Sequence, residues 1–352
     1  MSSNHSGSAA VEQVEPQSRE EGFAFTATGS EYFRIWIVNL LLTIVTLGIY
    51  SAWAKVRTNQ YFYANTRLAG GGFEYHAKPG AILKGRIVAA LLFGGYNLAL
   101  QFSLTAGMAM LALVMAVMPW LVWKSLQFAL YNSSYRGIRF GFGGSAKAAY
   151  FHYLLLPLLG VLSLGLLYPF VHQRIKRFQH TNSRYGNVPF AFDAPVRGFY
   201  KVYFGVVGMM LLAMIGSAII TFIVVISGVH KESWAVWVPF AVVYPFMLCV
   251  MFVAMAALQN LIWNHTYLGQ HGFRSTMTMK GLASLYITNT LAIIFTLGMF
   301  IPFAVVRAAK YRLDCTSLVV NGSLDDITAG QRAEIGAIGE GAADLGGFDL
   351  AL

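Results

Sequence analysis

Ionisable side chains inside apolar runs are where a membrane-embedded chain would do chemistry, and here they are few. Between residues 32 and 313 only three carboxylates occur: Glu74, Asp193 and Glu232. All three fall in expected loops or interfaces. Proton- and cation-coupled carriers depend on carboxylates within the bilayer, so that class is disfavoured. Paired-carboxylate catalysis and hard-metal sites are disfavoured with it. The eight histidines form no HExxH and no tight His/Cys cluster. His265 and His271 are the nearest approach to a metal pair. His152 reads as packed or interfacial. His172 and His180 flank Arg174-Ile175-Lys176-Arg177 and read as facing headgroups. There is no Walker A and no GxSxG with a readable triad, and Gly70-Gly71-Gly72 reads as a turn rather than a phosphate cradle. Neither Cys249 nor Cys315 has a CxxC partner, so no zinc site or disulfide framework follows. The expectation is a protein without catalytic residues, metal or cofactor.

The remaining candidates are basic and amide side chains at recurring offsets, all of which could bind a ligand. Arg57, Arg174 and Arg307 each lie eight residues before an Asn or Cys. Asn65-Thr66, Asn132-Ser133 and Asn182-Ser183 follow apolar segments, each with an aromatic four residues before the Asn and two more eight and ten after it. Two readings stand. The pairs close helix ends at a membrane exit, or they meet as a polar ring at the cytosolic face. The Phe-x-Phe/Tyr stretches read as strand-like or interfacial, with aromatic faces to headgroups. Asn39 and Asn289 are the best polar residues within apolar runs. They either hydrogen-bond between helices or line a polar pathway.

The elements that must position these residues are membrane helices. Of 352 residues, 57% are hydrophobic and only 11% charged, whereas soluble domains carry about 25% charge. The net charge of +10 is uneven. Residues 1–22 carry −3, residues 323–352 carry −5, and the segment between them carries +18. The basic clusters alternate with apolar runs, so the positive-inside rule accounts for them without nucleic acid. The reading divides the chain into an acidic disordered tail (1–22), a polytopic domain with about five hairpin repeats (23–324), and an acidic Gly/Ala-rich tail (325–352). No cleavable signal peptide is expected, because the first 22 residues lack an apolar core.

Uncharged runs at 35–54, 87–123, 148–173, 202–230, 233–273 and 281–306 mark the membrane segments. Thr46-Leu47-Gly48, Ser163-Leu164-Gly165 and Thr296-Leu297-Gly298 sit at equivalent places in three of them. If every basic cluster is cytosolic, an even number of passes must separate neighbours. The expected fold is therefore an all-α integral membrane protein of five helical hairpins. Short re-entrant-like hairpins turn at the Thr/Ser-Leu-Gly triplets and alternate with full-length ones, with short extended segments after each. Both termini are then cytoplasmic. Single passes through the short runs, giving about seven, are the rival.

The run Tyr32-Phe33-Arg34 through Leu47-Gly48-Ile49-Tyr50-Ser51-Ala52-Trp53 to Arg57, with Tyr61 and Asn65-Thr66-Arg67-Leu68, resembles the YjgN-like family of bacterial inner-membrane proteins, a domain of unknown function. The resemblance covers roughly residues 22–325. It implies an inner-membrane location and supplies no catalytic residues. Two functions remain. One is binding or transport of a small anionic solute or lipid through a basic cytosolic face. The other is a non-transporting scaffold that organises lipid or a partner protein. The first expects Arg57, Arg174 and Arg307 to converge on one cavity. The second expects a filled interior with outward arginines. The bilayer itself, including anionic headgroups, is the expected partner.

Overall fold

A computed structural model describes residues 18–228 and 237–322. Most of both acidic tails, and Glu232, lie outside the described residues. The all-α expectation is wrong. Ten short strands close into an antiparallel barrel, in which β1 (Arg19–Phe25) pairs with both β10 (Thr316–Val320) and β2 (Thr66–Leu68). Between them run β3 (Gly71–Tyr75), β4 (Ser133–Tyr135), β5 (Ile138–Phe142), β6 (Ser183–Tyr185), β7 (Val188–Phe192), β8 (Thr266–Leu268) and β9 (His271–Ser275), each hydrogen-bonded to its sequence neighbours. Residues 19–22, assigned above to the N-terminal tail, are the half of β1 that pairs with β10 and closes the barrel. Glu20 fastens this seam. It accepts from Ser317 Oγ at 2.6 Å and from Arg274 Nη1 at 3.1 Å, and its carboxyl is held below the usual range by the Ser317 hydrogen bond and then by Arg274.

The alternating aromatics point into the barrel rather than to headgroups. Leu68, Tyr135, Tyr185, Phe190, Leu268, Leu318 and Val320 form a buried cluster, with Phe23, Phe73, Phe140 and Phe273 packed against it. Phe73 lies 4.7 Å from Tyr135, and Phe140 5.0 Å from Tyr185, between ring centroids. Tyr135 and Tyr185 place their hydroxyls on backbone carbonyls of Leu68 and Tyr135, at 2.6 and 2.9 Å. The outward positions include Arg67, Glu74, Arg139 and Arg184. Apart from seven-residue β1, the strands have three to five residues, against the roughly 9–11 needed to cross a bilayer. The barrel interior is filled, so it offers no open pore along its axis.

Antiparallel order fixes where the helices leave. Two-residue turns follow β2, β4, β6 and β8 at one rim. Ala69-Gly70 and Arg136-Gly137 carry positive φ at both residues, as type I′ turns require, and Gly186 and Gly269 carry it at the first. Every other connection is helical, so all five helix pairs rise from the opposite rim. The pairs are α1 (Gly29–Val45) with α2 (Ser51–Ala64), α3 (Pro79–Phe102) with α4 (Leu104–Tyr131), and α5 (Ala146–Tyr150) with α7 (Tyr168–Thr181). In the third pair a π-helical turn (Phe151–Leu155) and α6 (Leu156–Leu162) continue α5. The last two pairs are α8 (Val196–Ile226) with α9 (Val238–Trp263) and α10 (Met279–Phe295) with α11 (Ile301–Asp314).

Among the described residues, α3, α4, α8 and α9 are long and apolar enough to cross a membrane. The chain is a membrane protein by that measure. The other pairs break at the Thr/Ser-Leu-Gly triplets. The Gly48, Gly165 and Gly298 amides reach back to Thr43, Gly160 and Ile293 carbonyls at 2.8–2.9 Å, with φ between 86° and 91°. The triplet hydroxyl accepts from a backbone amide four residues on, at 2.9–3.0 Å (Thr46 from Tyr50, Ser163 from Leu167, Thr296 from Phe300). Each turn is thus closed by hydrogen bonds within its own hairpin. Leu47, Leu164 and Leu297 stand at the tips, 94%, 92% and 94% exposed.

Around the rim each pair packs on the next, and α11 packs on α1, with Phe33 and Phe303 rings 5.8 Å apart. The two neighbours that meet where the barrel closes are both short.

Candidate functional site

The Asn-Thr/Ser motif sits where each returning helix enters the barrel. Asn65, Asn132 and Asn182 donate from Nδ2 to the carbonyls of Tyr61, Phe128 and Phe178, each at 2.8 Å. Thr66, Ser133 and Ser183 donate to Phe62, Ala129 and Gln179 carbonyls, also at 2.8 Å. These side chains close the last helical turn. The backbone carbonyl of the same Asn accepts from the residue that follows the adjacent strand (Thr26, His76 and Gly143, at 2.8–3.0 Å). The six residues lie around one rim, where Asn65 Oδ1 also accepts from Thr26 Oγ1 at 2.9 Å and Ser133 Oγ meets Tyr63 Oη at 3.0 Å. Thr266 and Thr316 repeat the hydroxyl bond.

The arginines behave differently. In a helix rising about 1.5 Å per residue, Asn39 and Arg57 are each nine residues from Gly48, and so lie level across the first hairpin. Asn289 and Arg307 are likewise nine from Gly298. Each pair is bonded: Arg57 Nη1 reaches Asn39 Oδ1 at 3.4 Å, and Arg307 Nη1 reaches Asn289 Oδ1 at 2.6 Å. Both asparagines are buried (5% and 6% exposed), while both arginines are exposed. The pairs sit about 14 Å below the hairpin tips, near half the hydrocarbon thickness of about 30 Å.

Arg174 occupies the equivalent place in the third pair, but Leu156 stands where the asparagine would be. Its guanidinium lies over the Phe170 ring at 4.9 Å. The third pair is flanked by the two long ones, whereas the first and fifth are neighbours. The structure thus brings two of the three arginines into adjacent hairpins and leaves the third elsewhere on the ring.

Two residues of this region escaped the sequence reading. Arg57 also donates to Tyr50 Oη at 3.2 Å, and Arg307 to Thr288 Oγ1 at 3.1 Å. Only Tyr50 had a visible signal, its place in the segment carrying the family resemblance. Tyr61 and Tyr311, at a constant offset before the Asn and Cys, bracket the backbone of Thr28 and Thr278, which cap α1 and α10.

The histidines are structural in their placement. His152 stacks on Phe178 at 4.5 Å and bonds the Ala148 carbonyl. His172 bonds Tyr203 Oη at 2.9 Å rather than facing headgroups. His180, at the barrel end of α7, stacks on Phe192 at 5.1 Å, and burial drives its pKa down to about 3. His265 bonds the Leu261 carbonyl, and His271 accepts from the Asn321 amide. No group of three His, Cys, Asp or Glu among the described residues is arranged to hold a metal.

A family model described as a bacterial protein of unknown function (DUF898) matches residues 20–345. The inner membrane protein YjgN of Salmonella typhimurium is 35% identical over 147 residues, 41% of this chain and 36% of that protein. Its counterpart in Escherichia coli strain K12 is 32% identical over 151 residues, 42% and 37% of the two chains. The chain thus aligns with little more than a third of the length of these curated relatives. No solved structure matches it.

Proposed function

The chain belongs to the DUF898 family of bacterial proteins, and on that footing we propose that it is a multi-pass inner-membrane protein that binds an anionic lipid headgroup or a small anionic solute. The barrel lies on the cytoplasmic side, and the face of the half-depth hairpins where their arginines stand takes the ligand. The relatives named inner membrane proteins support the location. The positive-inside rule supports the orientation, because the helix pairs return to one basic rim.

The observation that carries the reading is the recurrence of a buried asparagine bonded to an exposed arginine, level with each other, in two adjacent hairpins. An amide that orients a guanidinium at headgroup depth is suited to phosphate or carboxylate recognition, since the planar fork presents paired donors. The packed barrel interior argues against conduction along the barrel axis. The role is binding, not catalysis. The same packed interior favours a second reading, a scaffold that organises lipid without taking a headgroup.

Reconstitution of the full chain into nanodiscs of phosphatidylcholine, with and without phosphatidylglycerol, separates the two. The binding reading expects anionic lipid to raise the unfolding temperature saturably and to be retained on native mass spectrometry. Equal behaviour in both lipids would leave only the scaffold.

A further inference from the structure

The two Asn–Arg pairs are built on the same frame but finished differently. In the fifth pair of helices the buried amide is engaged at both its oxygen and its nitrogen. Arg307 reaches Asn289 and Thr288, and Asn289 Nδ2 donates to the Ala304 carbonyl at 3.3 Å. In the first pair the residue in the place of Thr288 is Val38, which offers no oxygen. Tyr50 stands in the place of Phe300 and brings a hydroxyl. Arg57 Nη1 lies at hydrogen-bond distance from both Asn39 Oδ1 and Tyr50 Oη, so three polar side chains gather at one nitrogen.

Their hydrogen-bond inventory does not balance. Asn39 is 95% buried, and its Nδ2 has no partner among the described residues. Tyr50 Oη accepts from Arg57, which leaves its own proton to donate. The guanidinium has five N–H groups, of which one nitrogen is engaged. An orphaned buried donor costs about 1–3 kcal/mol, and native structures keep such groups rare. A cluster with more donors than acceptors, one member cationic, suits an oxyanion.

We propose that Asn39, Tyr50 and Arg57 form an oxyanion site for a phosphate group, supplied by the phosphodiester of a lipid headgroup or by a soluble phosphate, and that Asn289–Arg307 is its structural counterpart with no ligand. This rests on the reading of the protein as an anion binder and says which pair does the binding. Trp53, stacked on Tyr50 at 6.2 Å and exposed, gives the site an interfacial wall and a reporter. The Arg57 level, about 14 Å below the tip, suits a headgroup phosphate.

The test compares the full-length wild type with Asn39→Leu, Arg57→Gln, Tyr50→Phe and Arg307→Gln. All are titrated with phosphatidylglycerol in phosphatidylcholine nanodiscs, and separately with inorganic phosphate in neutral detergent. Tryptophan fluorescence and native mass spectrometry are the readouts. Expected is a loss of affinity of about tenfold or more in N39L and R57Q, a smaller loss in Y50F, and affinity within about twofold of wild type in R307Q, whatever its stability. Saturation by lipid alone identifies a headgroup, and saturation by inorganic phosphate identifies a soluble anion; either supports the site. Loss that follows R307Q instead, or full affinity in R57Q, overturns the assignment while leaving an anion binder. Absence of any anion preference in the wild type defeats the broader reading as well. Because N39L replaces an unsatisfied amide by an apolar group, it is expected to fold; R57Q retains hydrogen-bonding capacity and serves as the check.

Discussion

At the scale of single residues, the contrast is between polar groups that finish the fold and polar groups left over. Asn289 belongs to the first kind. Asn289→Leu removes the acceptor of a charged hydrogen bond and is expected to lower stability by about 1–2 kcal/mol, read as a fall in unfolding temperature in detergent. Asn39→Leu is expected to cost clearly less, because its amide donor is unsatisfied to begin with. His180 makes a second prediction. Its folded pKa of about 3 lies below the unfolded value of about 6.5. The unfolded chain therefore takes up a proton that the folded chain refuses, so the stability this group contributes is present above about pH 6.5 and is lost as pH falls towards 3. Thermal unfolding between pH 7 and pH 4.5 should show declining stability, and His180→Phe should flatten part of that decline. The recurring Asn, Thr/Ser and Arg positions were visible in the sequence, because equal offsets survive where identities drift. What they bond to was not. The spacing of Asn65-Thr66 fits both a helix cap and a ligand ring, and it is the carbonyls four residues back that show these side chains closing the helix. His172 and His180 were placed towards headgroups because they flank a basic run; both instead pack against aromatic rings on one face of α7.

At the scale of elements, the turn triplets carry their own chemistry. Hydroxyl, tip leucine and glycine together close a break between two helices, and this was legible because a left-handed glycine after a capping hydroxyl is a local signal. Gly165 has φ of +86° and open space where a Cβ would stand. Gly165→Ala is therefore a test of backbone conformation alone, with an expected loss of about 1 kcal/mol or more, again by thermal unfolding. The strands were the main failure of sequence reasoning. An alternation over five residues, such as Val188 to Phe192, shows a two-sided extended segment but not its partner. Pairing between β1 and β10 joins residues about 300 apart, and no local pattern encodes it. The aromatics assigned to headgroups fill the barrel instead, because burying them inside a closed sheet removes apolar area from water and leaves no free strand edge.

At the scale of the whole molecule, the barrel dictates the membrane topology. Strands that alternate in direction around a closed ring deliver every helix pair to one rim and every two-residue turn to the other. The number of passes between neighbouring strand pairs is then even, whatever the depth of each hairpin. Two of the helix pairs are long and apolar enough to cross a bilayer, and two of the short ones stand side by side where the ring closes. That adjacency puts the Asn39–Arg57 and Asn289–Arg307 pairs in neighbouring hairpins.

Cysteine accessibility in intact cells tests this most directly. In a background with Cys249 and Cys315 replaced, single cysteines at the exposed turn positions Arg136, Asn187 and Gln270 are expected to react only after the inner membrane is permeabilised, and those at Leu47, Leu164 and Leu297 to resist an impermeant reagent from either side. Labelling of any two turn positions from opposite faces, or of a tip leucine position from the periplasm, would contradict a barrel whose helix pairs all leave and return on one side.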